Sequence, residues 1–296
     1  MNRTMGRWPL YLTATLIASA AIVVPPALRS TGTGTPAAPS PADVDLLSRA
    51  DQLLIRDCMR GKEFDYSPIP PDRIDPPLRY PYVVTDVAWA NTEGLRPYAG
   101  SGTGEADANQ RYVDGLAADR QAAYSDALVG PRDGPAVSTG VPSGGVLGHS
   151  AQGCQAAAAT SLYGDFPAWF TVSSIADDLP RLWRAQVTGD QRFAAAVTAW
   201  AGCMHAASLD YASPAQAAAA FRRTAPGRPG PQEVRVAVAE VGCAASSGLG
   251  TVAARLDAEY AATVRQQHHL ALTRLWRLQQ HALPAARGIV AWQAAA

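Results

Sequence analysis

The chain has 296 residues, with 25 basic and 25 acidic side chains and 48% hydrophobic residues. That length holds one large or two small domains, and a net charge of zero, slightly acidic without residues 1–30, argues against a nucleic-acid binder, which needs a basic face to displace phosphate counterions. Lys62 is the sole lysine, a bias toward arginine that speaks of a GC-rich genome rather than of chemistry.

Arg3 and Arg7 precede an uncharged apolar run from Trp8 to Val24, the layout of a secretory signal peptide. As a helix the run would span about 26 Å, a little short of the roughly 30 Å hydrocarbon core. Residues 1–30 are therefore expected to be a cleaved signal in preference to an uncleaved membrane anchor. Either way the body lies outside the cytoplasm, secreted or held on the outer face of the cytoplasmic membrane. Losing Arg3, Arg7 and Arg29 would leave 22 basic against 25 acidic groups. Residues 31–43 are rich in Thr, Gly, Pro and Ala and read as a flexible linker.

Residues 44–296 are expected to form a single helical domain. Asp43 or Asp45 can cap a first helix that buries Val44, Leu47, Leu54 and Cys58 and ends at Gly61. Prolines then crowd positions 68 to 81, followed by the aromatics Tyr80, Tyr82 and Trp89 and by a Gly-Ser-Gly-Thr-Gly loop at 100–104. A helix is predicted within Asn109–Leu128, and a β-hairpin over Ala136–Leu147 around Pro142-Ser143-Gly144-Gly145. Helices resume at Ser150. Asp177-Asp178 before Leu179-Pro180 predicts another helix start. Phe193, Val197, Trp200 and Met204 step by four, three and four, a buried helical stripe. A Gly/Pro/Arg loop covers 221–232, and a helix bearing Cys243 follows. One long last helix is predicted to bury Leu256, Tyr260, Val264, Ala271, Leu275, Leu278 and Ala282 and to end near Leu283-Pro284.

Two stretches are copies of one another. Cys58-Met59 is followed by Asp65-Tyr66, and Cys203-Met204 by Asp210-Tyr211, with the same spacing; a Gly-Cys comes later in each copy, at Gly153-Cys154 and Gly242-Cys243. The repeated unit reads as a helix ending in C-M-x5-D-Y, a connector, and a second helix opening near Gly-Cys. The first unit covers 44–170 with an insertion at 67–149; the second covers 176–283. The cysteines are 96, 49 and 40 residues apart, which suits disulfides in an exported chain and not a metal site. Pairing inside each copy, Cys58–Cys154 and Cys203–Cys243, preserves the duplication; Cys58–Cys203 with Cys154–Cys243 is the competitor. The expected fold is mainly α: duplicated disulfide-stapled helical hairpins with a Pro/aromatic insertion containing a short β-hairpin. Since the second copy closes with the connector 212–241 alone, the insertion is expected to be dispensable for folding and free to carry function.

The Cys-Met followed by an aromatic and a proline, the Leu162-Tyr163-Gly164-Asp165 run and Gly242-Cys243 together resemble a group of secreted actinobacterial proteins, over most of residues 44–260. The resemblance implies an exported helical protein and brings no activity, catalytic residue or ligand with it.

Candidate sites are few. Gly148-His149-Ser150-Ala151-Gln152-Gly153 approaches the nucleophile elbow of α/β-hydrolases, but its glycine arrives one residue late and no run of buried strands precedes it. Ser150, with His268, His269 or His281 as base, would make a secreted serine hydrolase. Glu105, Asp107 and Asn109 alternate like the start of a calcium loop, yet Gln110 and Leu116 stand where Gly and Glu are needed. The Gly-rich loop at 100–104 lacks a P-loop's lysine. Asp65 and Asp210 suggest a repeated structural job more than a catalytic pair. Beyond Tyr260 no acidic residue occurs, while Arg265, Arg274, Arg277 and Arg287 remain; they suit a helix C-terminus or an anionic surface. Tyr80, Tyr82, Asp86, Trp89, Arg96 and Tyr98 in the insertion form the candidate binding set, lining a sugar or peptide groove or else cementing the insertion to the helices. No catalytic residue, metal or cofactor is expected. The favoured reading is a non-catalytic envelope binding module acting on an envelope protein or polymer. The hydrolase and a structural, membrane-tethered accessory protein are the alternatives.

Overall fold

The computed structural model describes residues 36–71, 78–96, 108–222 and 228–295; the apolar run, most of the linker, the 100–104 loop and Tyr98 lie outside them. Residues 36–295 belong to one compact unit. In chain order its elements are α1 (Pro41–Arg60), α2 (Val87–Glu93), α3 (Ala108–Asp114), α4 (Ala118–Leu128), β1 (Ala136–Gly140), β2 (Val146–Ser150), α5 (Gly153–Tyr163), α6 (Phe166–Gly189), α7 (Gln191–Ala206), α8 (Pro214–Ala220), α9 (Pro231–Ser246), α10 (Leu249–Gln267) and α11 (His269–Ala295). The fold is mainly helical, with one two-stranded antiparallel sheet among the described residues. The structure pairs Cys58 with Cys154 and Cys203 with Cys243. It thus has the expected one staple per copy.

Several boundaries move for identifiable reasons. α1 begins inside the expected linker, because Ser40 and Asp43 form a reciprocal capping box and Pro41 sits in the first turn. Its buried residues are Leu47, Ala50, Gln52, Ile55 and Met59, while Val44 is exposed, so the inner face is rotated from the expected one. The helix over 109–128 is broken by Gly115–Ala117 into α3 and α4. Asp177-Asp178 does not start a helix: Pro180 lies inside α6, whose cap is Asp165 accepting from the Ala168 amide at 2.9 Å. Asp178 instead receives the Ser143 amide at 2.6 Å and the Ser143 hydroxyl at 2.7 Å, pinning the hairpin tip to α6. The hairpin runs on to Ser150, pairing Ala136 with Ser150 and Gly140 with Val146. The last helix is two, α10 and α11, joined at His268, and Pro284 sits within α11 on its exposed side. There its missing amide costs the buried face nothing.

The repeat proves to be a turn. After each Cys-Met helix end, Met59 and Met204 carbonyls accept from the amides five residues on, Phe64 at 3.1 Å and Leu209 at 2.9 Å. The residues just before, Glu63 (φ 62°) and Ser208 (φ 59°), are the two non-glycine residues at positive φ among the described residues. This is the six-to-one closure of a Schellman-type cap, with its apolar contact supplied by buried Phe64 and Leu209. Asp65 and Asp210 point to solvent, so the backbone and the apolar residue beside them carry the conserved geometry of the two copies.

The copies then diverge. Cys154 opens α5, whereas Cys243 sits in the last turn of α9. A Cβ on Gly153 would collide with backbone at Val129 and Gly130, while one on Gly242 would meet nothing. The border expected at 170–176 falls inside the continuous α6. α11 packs on α1 and α5 of the first copy as well as on α6, burying Leu283 and Ala286 beside Leu47 and Phe166. The largest core gathers Trp200 and Met204 of α7, Val236 of α9, and Leu249 and Leu256 of α10, all essentially inaccessible.

That core also contains Val83, Val84, Trp89, Ala90 and Leu95 of the insertion. α2 packs directly on α9. The expectation that the insertion is dispensable is therefore wrong for residues 78–96, whose removal would strip one wall from the second copy's core.

Relieving the left-handed strain tests the turn. A non-glycine residue in that region costs on the order of 1 kcal/mol. Glu63→Gly and Ser208→Gly should each raise stability by roughly 0.5–1 kcal/mol in denaturant unfolding, whereas Ala195→Gly on the exposed face of α7 should lower it by a similar amount.

Candidate functional site

The structure disperses the predicted aromatic set between the core and one cleft. Asp86 is the N-cap of α2, accepting from the Ala88 and Trp89 amides at 2.8 and 3.2 Å. Those bonds, first the one from Trp89, hold its carboxyl below the usual range. Trp89 is buried, and its indole N–H donates to the Arg96 carbonyl at 2.9 Å. Tyr80 meets Trp89 edge-on at 5.1 Å and Arg79 lies over the same ring at 5.5 Å. Asp86 and Trp89 thus hold α2 in place, and Arg96 contributes its backbone to that.

Tyr80 and Tyr82 face something different. With Leu78, Arg79, Thr85 and the start of α10 they line a cleft of about 370 Å³, open to solvent on one side. Asp257 of α10 closes its polar end. A single carboxylate oxygen, Oδ1, accepts the Tyr82 hydroxyl at 2.6 Å and the Trp183 indole N–H at 3.1 Å. Burial and this hydrogen bond push the Tyr82 hydroxyl well above its ordinary pKa, so it remains a donor. The cleft is narrow because Gly250 lets α10 come close: a Cβ there would crowd the Thr85 methyl group. Asp257 and Trp183 escaped the sequence reading. Trp183 lies on α6 and Asp257 beside the buried Leu256, and only the fold brings them to Tyr82.

Beneath the cleft, two glutamates of α9 hold the insertion. Glu240 Oε1 accepts from the Val84 amide at 2.8 Å and Glu233 Oε1 from the Leu95 amide at 3.2 Å. Seven residues apart, they share one face of α9 and grip the chain on both sides of α2. Glu240 is 2% exposed and its Oε2 has no hydrogen-bond partner. Burial pushes its carboxyl up to about 8, against the opposing pull of the Val84 amide.

The serine motif lacks the hydrolase arrangement. Ser150 ends β2 of an antiparallel hairpin, and its hydroxyl accepts from the Gln152 amide at 3.1 Å. The neighbouring His149 ring lies against Phe166 and Phe170, with Nδ1 2.7 Å from the Ser150 carbonyl oxygen rather than aimed at the hydroxyl. Asn109, read as a loop ligand, is buried and bonds both backbone groups of Ser67, at 2.7 and 2.9 Å. Among the described residues no group of three acidic, His or Cys side chains could hold a metal. No single described helix is long and apolar enough to cross a membrane; the bent pair α9–α10 passes that test together, and both helices furnish core residues. Two disulfides are compatible with an oxidising compartment.

Comparison of the chain with protein-family profiles, with curated proteins and with solved structures gives no match.

Glu240 makes stability depend on pH in a definite sense. Its folded pKa of about 8 stands above the unfolded 4.5, so its favourable contribution is complete below 4.5 and is lost as pH rises toward 8, by at most about 1.4 kcal/mol per pH unit. Glu240→Gln keeps an acceptor for the Val84 amide but buries an amide group without a partner. The variant should be less stable than the parent near pH 5, and the difference should shrink or reverse by pH 9. Parallel stability–pH curves from urea unfolding would show that Glu240 is already ionised in the fold.

Proposed function

We propose that the protein is an exported, non-catalytic binding protein of the cell envelope, whose ligand is a segment of a polyhydroxylated polymer seated between residues 78–85 and α10. The observation that carries this reading is the Tyr82–Asp257–Trp183 constellation at the polar end of an open cleft. Half-buried tyrosine rings offer flat apolar faces to sugar C–H groups, while a fixed carboxylate and the Arg79 guanidinium offer acceptor and donor to hydroxyls. An open trough suits a length of polymer better than an enclosed small molecule does. Export is supported by the apolar run behind Arg3 and Arg7 and by the two disulfides. The Ser150 geometry above gives the hydrolase alternative no support.

The test uses chitotetraose and lysozyme-released cell-wall oligosaccharides in calorimetry. Binding to the oxidised protein is expected to weaken at least about tenfold, a loss of roughly 1.4 kcal/mol, in Tyr80→Ala and in Asp257→Asn. The asparagine preserves an acceptor for Tyr82 and Trp183, so its unfolding midpoint should stay close to the parent's. No binding of either sugar by the parent would remove this reading.

A further inference from the structure

The C-terminal helix has an outer face that nothing among the described residues covers. Leu270, Arg274, Arg277, His281, Gly288 and Trp292 follow one another at steps of three, four or seven residues, which aligns them in one stripe along α11. All are exposed, Leu270 at 75% and Trp292 at 66%. The opposite face carries the buried Leu272, Leu275, Leu283 and Ala286. No acidic side chain follows Glu259 in the sequence, so none on this helix offsets the stripe's cations. Arg274 and Arg277 make no ion pair or hydrogen bond within the described structure. Arg287, on the flank of the stripe, pairs with Asp43 at 3.6 Å.

The place where the chain enters the body lies on this helix too. Gln280 Nε2 donates to the Ala37 carbonyl at 2.6 Å, one residue from His281. Only twelve residues separate Ala37 from Val24, the end of the uncharged run. Fully extended they reach no further than about 45 Å. Where the run is kept as an anchor instead of being cleaved, this short tether raises the stripe's effective concentration at the lipid surface; the stripe's exposed apolar ends and its cations do not require it.

We propose that the α11 stripe rests on an anionic lipid bilayer, with Trp292 and Leu270 at the headgroup–acyl boundary and Arg274 and Arg277 against lipid phosphates. Its shape and its charge favour lipid over a protein partner. The two large apolar side chains stand about 33 Å apart on one convex row, with cations between them. A flat, fluid, negative surface meets all of these groups at once, since long arginines reach headgroups while an interfacial tryptophan sits below them. This contact is separate from the sugar cleft and does not depend on it.

The experiment places the full chain in nanodiscs of phosphatidylcholine alone or mixed with phosphatidylglycerol. An environment-sensitive fluorophore sits on a cysteine at Gly288→Cys, where a Cβ meets nothing, or at the control Val146→Cys, which is 72% exposed in the hairpin. The label at 288 should shift to the blue and escape an aqueous quencher only in the phosphatidylglycerol discs. That protection should be lost in high salt and in the Arg274→Gln/Arg277→Gln variant, whose exposed substitutions leave the unfolding midpoint unchanged. The label at 146 should stay accessible throughout. Equal quenching at 288 in both kinds of disc overturns the proposal. So does protection that survives in phosphatidylcholine and in the double variant, which would mean purely apolar seating. Protection in detergent without lipid also overturns it and assigns the face to a second copy of the chain.

Discussion

The grip of α9 on the insertion is the constraint from which the rest of the second copy follows. Two carboxylates on one helical face take the Val84 and Leu95 amides, the chain between them folds as α2, and Trp89, Ala90 and Leu95 thereby complete the core over Trp200 and Val236. Backbone amides buried without partners would each cost roughly 1–3 kcal/mol, so the glutamates are what permits an irregular segment to lie against a helix at all. The same grip fixes the course of residues 78–85 and with it one wall of the cleft. Gly94 belongs to this arrangement: it sits at φ 68° and a Cβ there would collide with the Glu233 carboxyl.

The duplicated half of the design is visible in residue spacing because it is local. A helix end, a left-handed residue and a returning apolar side chain lie within seven positions, so Cys58-Met59 to Asp65-Tyr66 and Cys203-Met204 to Asp210-Tyr211 can be aligned by spacing, which favours pairing within each copy and leaves the swapped pairing for the structure to exclude. The stripe from Phe193 to Met204 is legible for the same reason, since one helix face must repeat every three or four residues. The bridges themselves tie different ends of their helices. Cys154 opens α5 and Cys243 closes α9, so the second Gly-Cys shares its letters with the first and not its environment.

What the sequence concealed depends on charge placed where a reader expects solvent. Glu233 and Glu240 occur among Val234, Val236 and Val238, and acidic residues in a helix ordinarily mark the outer face. Here they mark the inner one, because their partners are backbone amides of a segment some 140 to 160 residues away, a pairing that no periodicity carries. Asp178 misleads in the same manner. Before Leu179-Pro180 it looks like a cap, yet its bonds go to Ser143 at the hairpin tip, and α6 passes through Pro180 unbroken. Of the aromatic set, Tyr80 and Tyr82 reach the cleft, while Asp86 and Trp89 serve α2.

Asp257 shows how the cleft and the fold are coupled. Its one oxygen Oδ1 joins the insertion through Tyr82 and α6 through Trp183, while the residue itself belongs to α10. A charged acceptor shared by two donors is stronger than a neutral one, and the Tyr82 ring it orients lies edge-on to Phe193 of the core, at 5.8 Å. A ligand hydroxyl that draws on this carboxylate therefore acts on a joint between three elements rather than on a free surface group. The cleft is consequently a poor place for large rearrangement, because the fold itself holds its tyrosines in position.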